Sequence, residues 1–150
     1  MTDRQTVDEF LAQPALAVVG VSRSGKKFGN AAYKELKAKG YRVYPVHPQA
    51  DAIEGDKCYK KLGDLPEAVG GVLTVVPPQQ TEHVVRDAAL VGIKRVWMQQ
   101  GAESQEAIRF CEENGIAHVE GLCILMFAQP TALPHKLHRF IWGLIGKLPK

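Results

Sequence analysis

The residues best suited to chemistry in this chain are Gly20, Ser22, Gly25, Lys26 and Lys27, gathered in the stretch Gly-Val-Ser-Arg-Ser-Gly-Lys-Lys. An apolar run, Ala17 to Val19, leads into it, and a helical pattern beginning near Gly29 leads out. A strand that ends in a glycine-rich turn and opens a helix aims unpaired N–H groups and a positive dipole end at one spot. Cationic side chains reinforce that field. Seven Lys or Arg lie between Arg23 and Arg42 (Arg23, Lys26, Lys27, Lys34, Lys37, Lys39, Arg42), against one acid, Glu35. The pattern predicts a phosphate-binding turn.

The elements that must hold this turn are legible as alternating apolar runs and helical patterns. Strands are predicted at 16–21, 41–46, 72–76, 95–98 and 116–119, where apolar residues run almost continuously, as in a sheet covered on both faces. Helices are predicted at 7–11, from about Gly29 to Gly40, at 81–91 and at 103–114, with Gly40, Gly92 and Gly115 as stops. Crossovers of about a dozen residues between strands demand parallel pairing. The expected fold class is therefore α/β: a Rossmann-like, doubly wound, mainly parallel five-stranded sheet with helices on both faces. Ligands of such sheets bind beyond the carboxyl ends of the strands. Gly20 to Lys27, His47 to Gln49, Pro77 to Gln80 and Gln99 to Gly101 are the turns expected there.

Composition narrows the class further. With 150 residues, 45% of them hydrophobic, the chain is long enough for one packed domain, and no internal boundary shows. A net charge of +3 is far from that of a nucleic-acid binder. The N-terminus lacks a signal-peptide pattern and no run approaches a membrane span, so a cytoplasmic protein away from the membrane is expected. Cys58, Cys111 and Cys123 are widely spaced and read as reduced thiols, with no metal site. Leu137, Phe140, Ile141, Leu144, Ile145 and Leu148 share one stripe of a C-terminal helix at about 135–148, which packs on the domain, contacts a second copy or partner or, least expected, attaches to a membrane surface through its basic residues and Trp142.

Three phosphate ligands compete for the turn. Gly20 to Lys26 satisfies the spacing of a P-loop, but Lys27 stands where Ser or Thr should hold magnesium, and the third strand ends in Val76-Pro77 without an acid. Gly20-x-Ser22-x-x-Gly25 is a degenerate dinucleotide fingerprint, so an NAD(P)-binding oxidoreductase or redox sensor is the alternative reading. An NAD site wants a carboxylate after the second strand, and His47-Pro48 is there instead, with Asp51 a few residues on. A ligand with a diphosphate and a phosphorylated ribose, such as coenzyme A, suits Arg23, Lys26, Lys27 and Arg42 and needs no ribose carboxylate.

The motifs Val19-Gly-Val-Ser-Arg23 with Lys26, Lys27 and Gly29, then Gly40-Tyr-Arg-Val-Tyr-Pro-Val-His-Pro48, continue in Val75-Val-Pro-Pro78, Trp97-Met-Gln-Gln-Gly101 and Glu120-Gly-Leu-Cys123. In this order they resemble the standalone bacterial and archaeal CoA-binding domain proteins. These are similar to the CoA-binding N-terminal domain of the succinyl-CoA synthetase α subunit. The likeness covers roughly residues 7–127. It implies that Gly20 and Ser22 approach the diphosphate and that Lys26 or Lys27 neutralises phosphate charge, with Val21 and Arg23 of the same turn also counted in the cofactor site. Pro48 would border the nucleotide, and Val76 with Pro77 would pack on the adenine or pantetheine arm. His47 stands where the family usually has Asn, yet a neutral imidazole can still make one polar contact.

Catalytic constellations are sparse. The synthetase relatives use a phosphorylated histidine in a second domain, and His47, His83, His118, His135 and His138 do not match its context. Glu103 with Ser104 reads as a helix cap, and Cys123 as a structural thiol. The expectation is a non-catalytic protein of carrier, regulatory or subunit-like role that binds coenzyme A or acyl-CoA.

Overall fold

The computed structural model describes residues 3–128, so the predicted helix at 135–148, with His135 and His138, lies outside the described residues. Helix α1 (Arg4–Leu11) precedes strand β1 (Ala15–Val19), helix α2 (Phe28–Ala38) and strand β2 (Arg42–Val46). Two short strands follow, β3 (Ala52–Ile53) and β4 (Asp56–Lys57). Strand β5 (Gly71–Thr74), helix α3 (Pro78–Leu90), strand β6 (Arg95–Gln99), helix α4 (Gln105–Glu113) and strand β7 (Ala117–Leu122) complete the order.

The five long strands form one sheet in the order β2-β1-β5-β6-β7, and every pairing in it is parallel. From β1 the chain moves outward to β2, then crosses back to place β5 on the other side of β1. Strand order reverses between β1 and β5, which is where such sheets open a crevice at their carboxyl ends. Val19 pairs with Val46 on one side and with Thr74 on the other, so the three strand ends are nearly flush.

Alternation along the strands feeds two cores. Leu16, Val18, Leu73, Trp97 and Val119 meet Val7 and Phe10 of α1 and Ala32, Tyr33 and Leu36 of α2. Ala15, Ala17, Val72, Val96 and Met98 meet Val84, Val85 and Ala88 of α3 and Ala107 and Cys111 of α4. Each large side chain fully buried in this way contributes about 1.5–3 kcal/mol. Trp97 also satisfies its indole: the N–H donates to Leu122 O at 3.1 Å, while Phe10 and Phe127 pack against the ring at 5.4 and 6.2 Å between centroids.

The differences from the predicted elements have local causes. Helix α3 starts three residues early because Pro78, with φ preset and no N–H to lose, occupies its first turn. Ser104 lies just outside α4 as its N-cap, accepting from Ala107 N–H at 3.1 Å. The β3–β4 hairpin replaces an expected loop. Its turn needs positive φ at both Glu54 (53°) and Gly55 (80°), a two-residue reversal in the manner of a type I′ turn.

Candidate functional site

A cleft of about 670 Å³ lies over the carboxyl ends of β2, β1 and β5. Its apolar lining comes from Val19, Val46, Leu62, Val75, Val76, Pro77 and Val84. Gly20, Val21 and Lys27 of the first turn, His47, Pro48 and Gln49 after β2, and Lys60 and Lys61 supply one polar side. Gln79, Gln80, His83 and Asp87 of α3 supply the other.

Close packing at Gly20 builds this cleft. Its φ of 121° suits glycine, and a Cβ there would come within 2.8 Å of the Val75 carbonyl carbon. A Cβ on Gly29 would sit 2.4 Å from Gly20 O. The end of β1 is thus held between the residue after β5 and the first turn of α2, backbone against backbone. The fingerprint reading gave the third glycine position to Gly25, but Gly25 lies in an exposed part of the loop with φ of 76°. Gly29 performs the close helix–strand contact, because eight residues rather than a tight turn separate β1 from α2.

Asn30 holds the loop in shape. This side chain is 1% exposed; its Oδ1 accepts from Ser22 N–H at 2.8 Å and its Nδ2 donates to Ser22 O at 2.9 Å. Glu54 of the hairpin accepts from the same Nδ2 at 3.4 Å. Asp56 anchors the hairpin to α2 by accepting from Tyr33 Oη and from Lys37 Nζ, and these two hydrogen bonds hold its carboxyl below the usual range. With its N–H and C=O committed to Asn30, and its hydroxyl 2.8 Å from that of Ser24, Ser22 shapes the loop and does not line the cleft.

Helix ends and cations set the electrostatics. Helices α1 and α4 have side-chain caps, from Asp3 and Ser104. Helices α2 and α3, which start at the cleft, have none, and neither carries an acid in its first turn. Their positive ends stay open toward the cleft. Lys27 lines it, while Lys26 and Arg23 extend from the exposed side of the loop. Half-buried His47 accepts from Gln49 N–H through Nδ1 at 2.9 Å, the bond of a neutral ring. Burial first, then the charges of Arg23 and Lys27, pushes its pKa below the ordinary histidine value. Those two cations therefore act on the space around His47. Asp87 is the one carboxylate of the lining, 3.3 Å from His83 Nε2.

Several expected participants stand elsewhere. Arg42 begins β2, at the opposite end of the sheet, where Nε and Nη2 donate to Glu67, both at 2.8 Å. Lys37 pairs with Asp56, Lys34 with Glu54 at 3.9 Å and Lys39 with Glu35 at 4.0 Å, so much of the basic run is neutralised within α2 and the hairpin. Gln99 to Gly101 do not line the cleft; Gln99 Oε1 accepts from Ile124 N–H at 3.0 Å and ties the end of the sheet together. Cys123 is also outside the lining, and among the described residues no cluster of three or more His, Cys, Asp or Glu could hold a metal. Gln79 and Gln80 belong to a turn expected at the cleft, whereas Lys60, Lys61 and His83 escaped sequence reasoning, since a long polar loop and a helix face give no periodic signal of what they approach.

Comparison with known proteins places this geometry. The model of the CoA binding domain family matches residues 15–129. The chain belongs to this CoA-binding domain family. Among solved structures, this CoA-binding domain is similar to a conserved hypothetical protein from Pyrococcus furiosus, at 42% identity and TM-score 0.70, covering 74% of this chain and 96% of that one. A hypothetical protein from Pyrococcus horikoshii superposes with TM-score 0.77 at 31% identity, covering 83% and 88%. Among curated relatives, it is 32% identical over 91 residues to the acetate–CoA ligase (ADP-forming) II α subunit of P. furiosus. That match takes in 60% of this chain but 20% of the subunit, so the chain spans about a fifth of that relative.

Proposed function

We propose that the cleft binds coenzyme A or an acyl-CoA, and that the protein serves as a non-catalytic carrier, regulator or subunit for that cofactor. One observation carries the reading: two helix N-termini without side-chain caps meet Lys27, Lys60 and Lys61 over the reversal in strand order. An anionic nucleotide with its phosphates at the α2 end complements that field. The apolar wall of Val46, Val76 and Pro77 suits adenine or the pantetheine arm. Family membership supports the same cofactor.

An NAD(P) reading draws less support. His47 occupies the place of the ribose carboxylate, and Asp51 is 94% exposed with Lys60 at 3.7 Å. Among the described residues that line the cleft, the titratable groups do not pair a nucleophile with a base. His47 Nδ1 is occupied by a backbone N–H, and burial raises the pKa of the Cys58 thiol, which keeps it protonated and unreactive. Calorimetric titration with CoA, repeated in excess NADH, tests both readings. Binding of CoA that NADH leaves unchanged is expected, and acetyl-CoA incubated with the protein should release no free thiol. Displacement by NADH, or steady thiol release, contradicts the proposal.

A further inference from the structure

The cations of the cleft fall into two groups, and the second lies outside the phosphate turn. Lys60 and Lys61 come from the segment that follows the β3–β4 hairpin. Tyr59 N–H donates to Pro45 O at 3.0 Å and His47 N–H to Tyr59 O at 2.9 Å, with an isolated parallel bridge between Val46 and Tyr59. The segment thus runs as an extra rung beside the end of β2 and fixes the lysines next to His47 and Pro48. That is where doubly wound nucleotide folds place the group that reads the adenosine ribose.

Ribose hydroxyls call for an acceptor there, and an ammonium group only donates. Two adjacent lysines instead suit a phosphate on the ribose, which carries about −1.5 to −2 charge near neutral pH. Both are free to respond. Lys61 has no ion pair among the described residues, and Lys60 faces only Asp51, in an exposed contact that contributes little. The positive end of α2 with Lys27 belongs to the turn after β1, whereas Lys60 and Lys61 follow the hairpin beside β2, so the two groups of charge come from different segments and suit a ligand phosphorylated at two points.

We infer that Lys60 and Lys61 form a subsite for the 3′-phosphate of the ribose and set a preference for the 3′-phosphorylated carrier over the same molecule without that phosphate. This rests on the proposed CoA reading of the cleft. Calorimetry with CoA and with dephospho-CoA tests it, on the parent, on Lys60→Gln/Lys61→Gln, and on Lys94→Gln, which removes an exposed charge at the opposite end of the sheet. The parent should bind CoA about tenfold or more tightly than dephospho-CoA, as expected for one charge-assisted contact of about 1.5 kcal/mol. The double variant should lose that preference while its affinity for dephospho-CoA stays within about twofold, as one phosphate contact is all it lacks. Lys94→Gln should behave as the parent. Equal parental affinity for the two ligands overturns the subsite and leaves the CoA reading standing. So does a double variant that weakens both ligands alike, or neither. A parent that binds neither ligand refutes the CoA reading itself.

Discussion

Replacing Gly29 with alanine puts two physical effects in opposition. Helix propensity favours the change by about 0.5–1 kcal/mol, because Gly29 lies within α2 and its φ is not positive. Packing opposes it. The new Cβ would sit 2.4 Å from Gly20 O and 2.8 Å from Gly20 C, so the helix start must move about 0.6 Å merely to reach 3.0 Å. Gly20 is itself confined, since a Cβ built on it would come within 2.8 Å of the Val75 backbone. Overpacking at such a site costs about 1–3 kcal/mol, which exceeds the propensity gain. A net loss of about 1–2 kcal/mol is expected, a fall of roughly 2–8 °C in melting temperature for a domain of this size. The same displacement turns the open N–H groups of α2 away from the ligand. Loss of one charge-assisted hydrogen bond, about 1.5–3 kcal/mol, weakens CoA binding roughly ten- to a hundredfold. Urea denaturation reads the first effect and calorimetry the second. Gly63→Ala, whose Cβ would make only an ordinary 3.7 Å contact with Val91, serves as control. A Gly29→Ala protein as stable as the parent with unchanged CoA affinity would refute the packing argument.

Lys27→Gln and Arg42→Gln each remove one positive charge, yet only the first should lower CoA affinity, by about three- to tenfold as exposed ion contacts go. Equal effects in calorimetry would mean that overall charge, and not position, decides. His47 gives a pH signature. Its pKa lies below the ordinary 6.5 because of burial and of Arg23 and Lys27; a bound anion raises it, so binding takes up a proton. Affinity should therefore strengthen as pH falls through 6.5 and below, and His47→Gln should flatten the profile; a profile unchanged by the substitution would count against this. Glu67 tests the far end of the sheet. Hydrogen bonds from Arg42 and then Tyr44 hold its pKa at about 2, below the ordinary 4.5. The stability it contributes is present above pH 4.5 and lost as pH falls through about 2. Urea midpoints of the parent should approach those of Glu67→Gln as acid is added, with CoA affinity at neutral pH the same in both.

Most of the fold was legible because its determinants are local. Near-continuous apolar runs at 16–21 and 72–76 identify strands covered on both sides, observed as Ala15–Val19 and Gly71–Thr74, and Pro77-Pro78 and Gly40 mark where elements change. The hairpin at 52–57 was not legible, since strands of two residues leave no period to detect. Proximity in sequence misled the reading of Arg42: a residue that opens a parallel strand lies at the end of the sheet opposite its carboxyl edge. A turn after β1 was legible from its glycines and cations, and the structure brings Gly20, Val21, Lys27, His47, Pro48, Val76 and Pro77 to one cleft while Ser22, Arg23 and Lys26 lie outside its lining. The support behind it was not, because Asn30 reads as an unremarkable helix residue until the loop folds back onto its amide. Lys60 and Lys61 depend on a pairing between Tyr59 and β2 that spans a long polar loop, a contact no local pattern encodes.

A crystal structure of the protein grown with CoA tests the central claim most directly. The account predicts the diphosphate beside Gly20 and Val21 at the start of α2, with the adenosine ribose toward Pro48, Lys60 and Lys61. Cofactor seated on another face, with this cleft vacant, would contradict it.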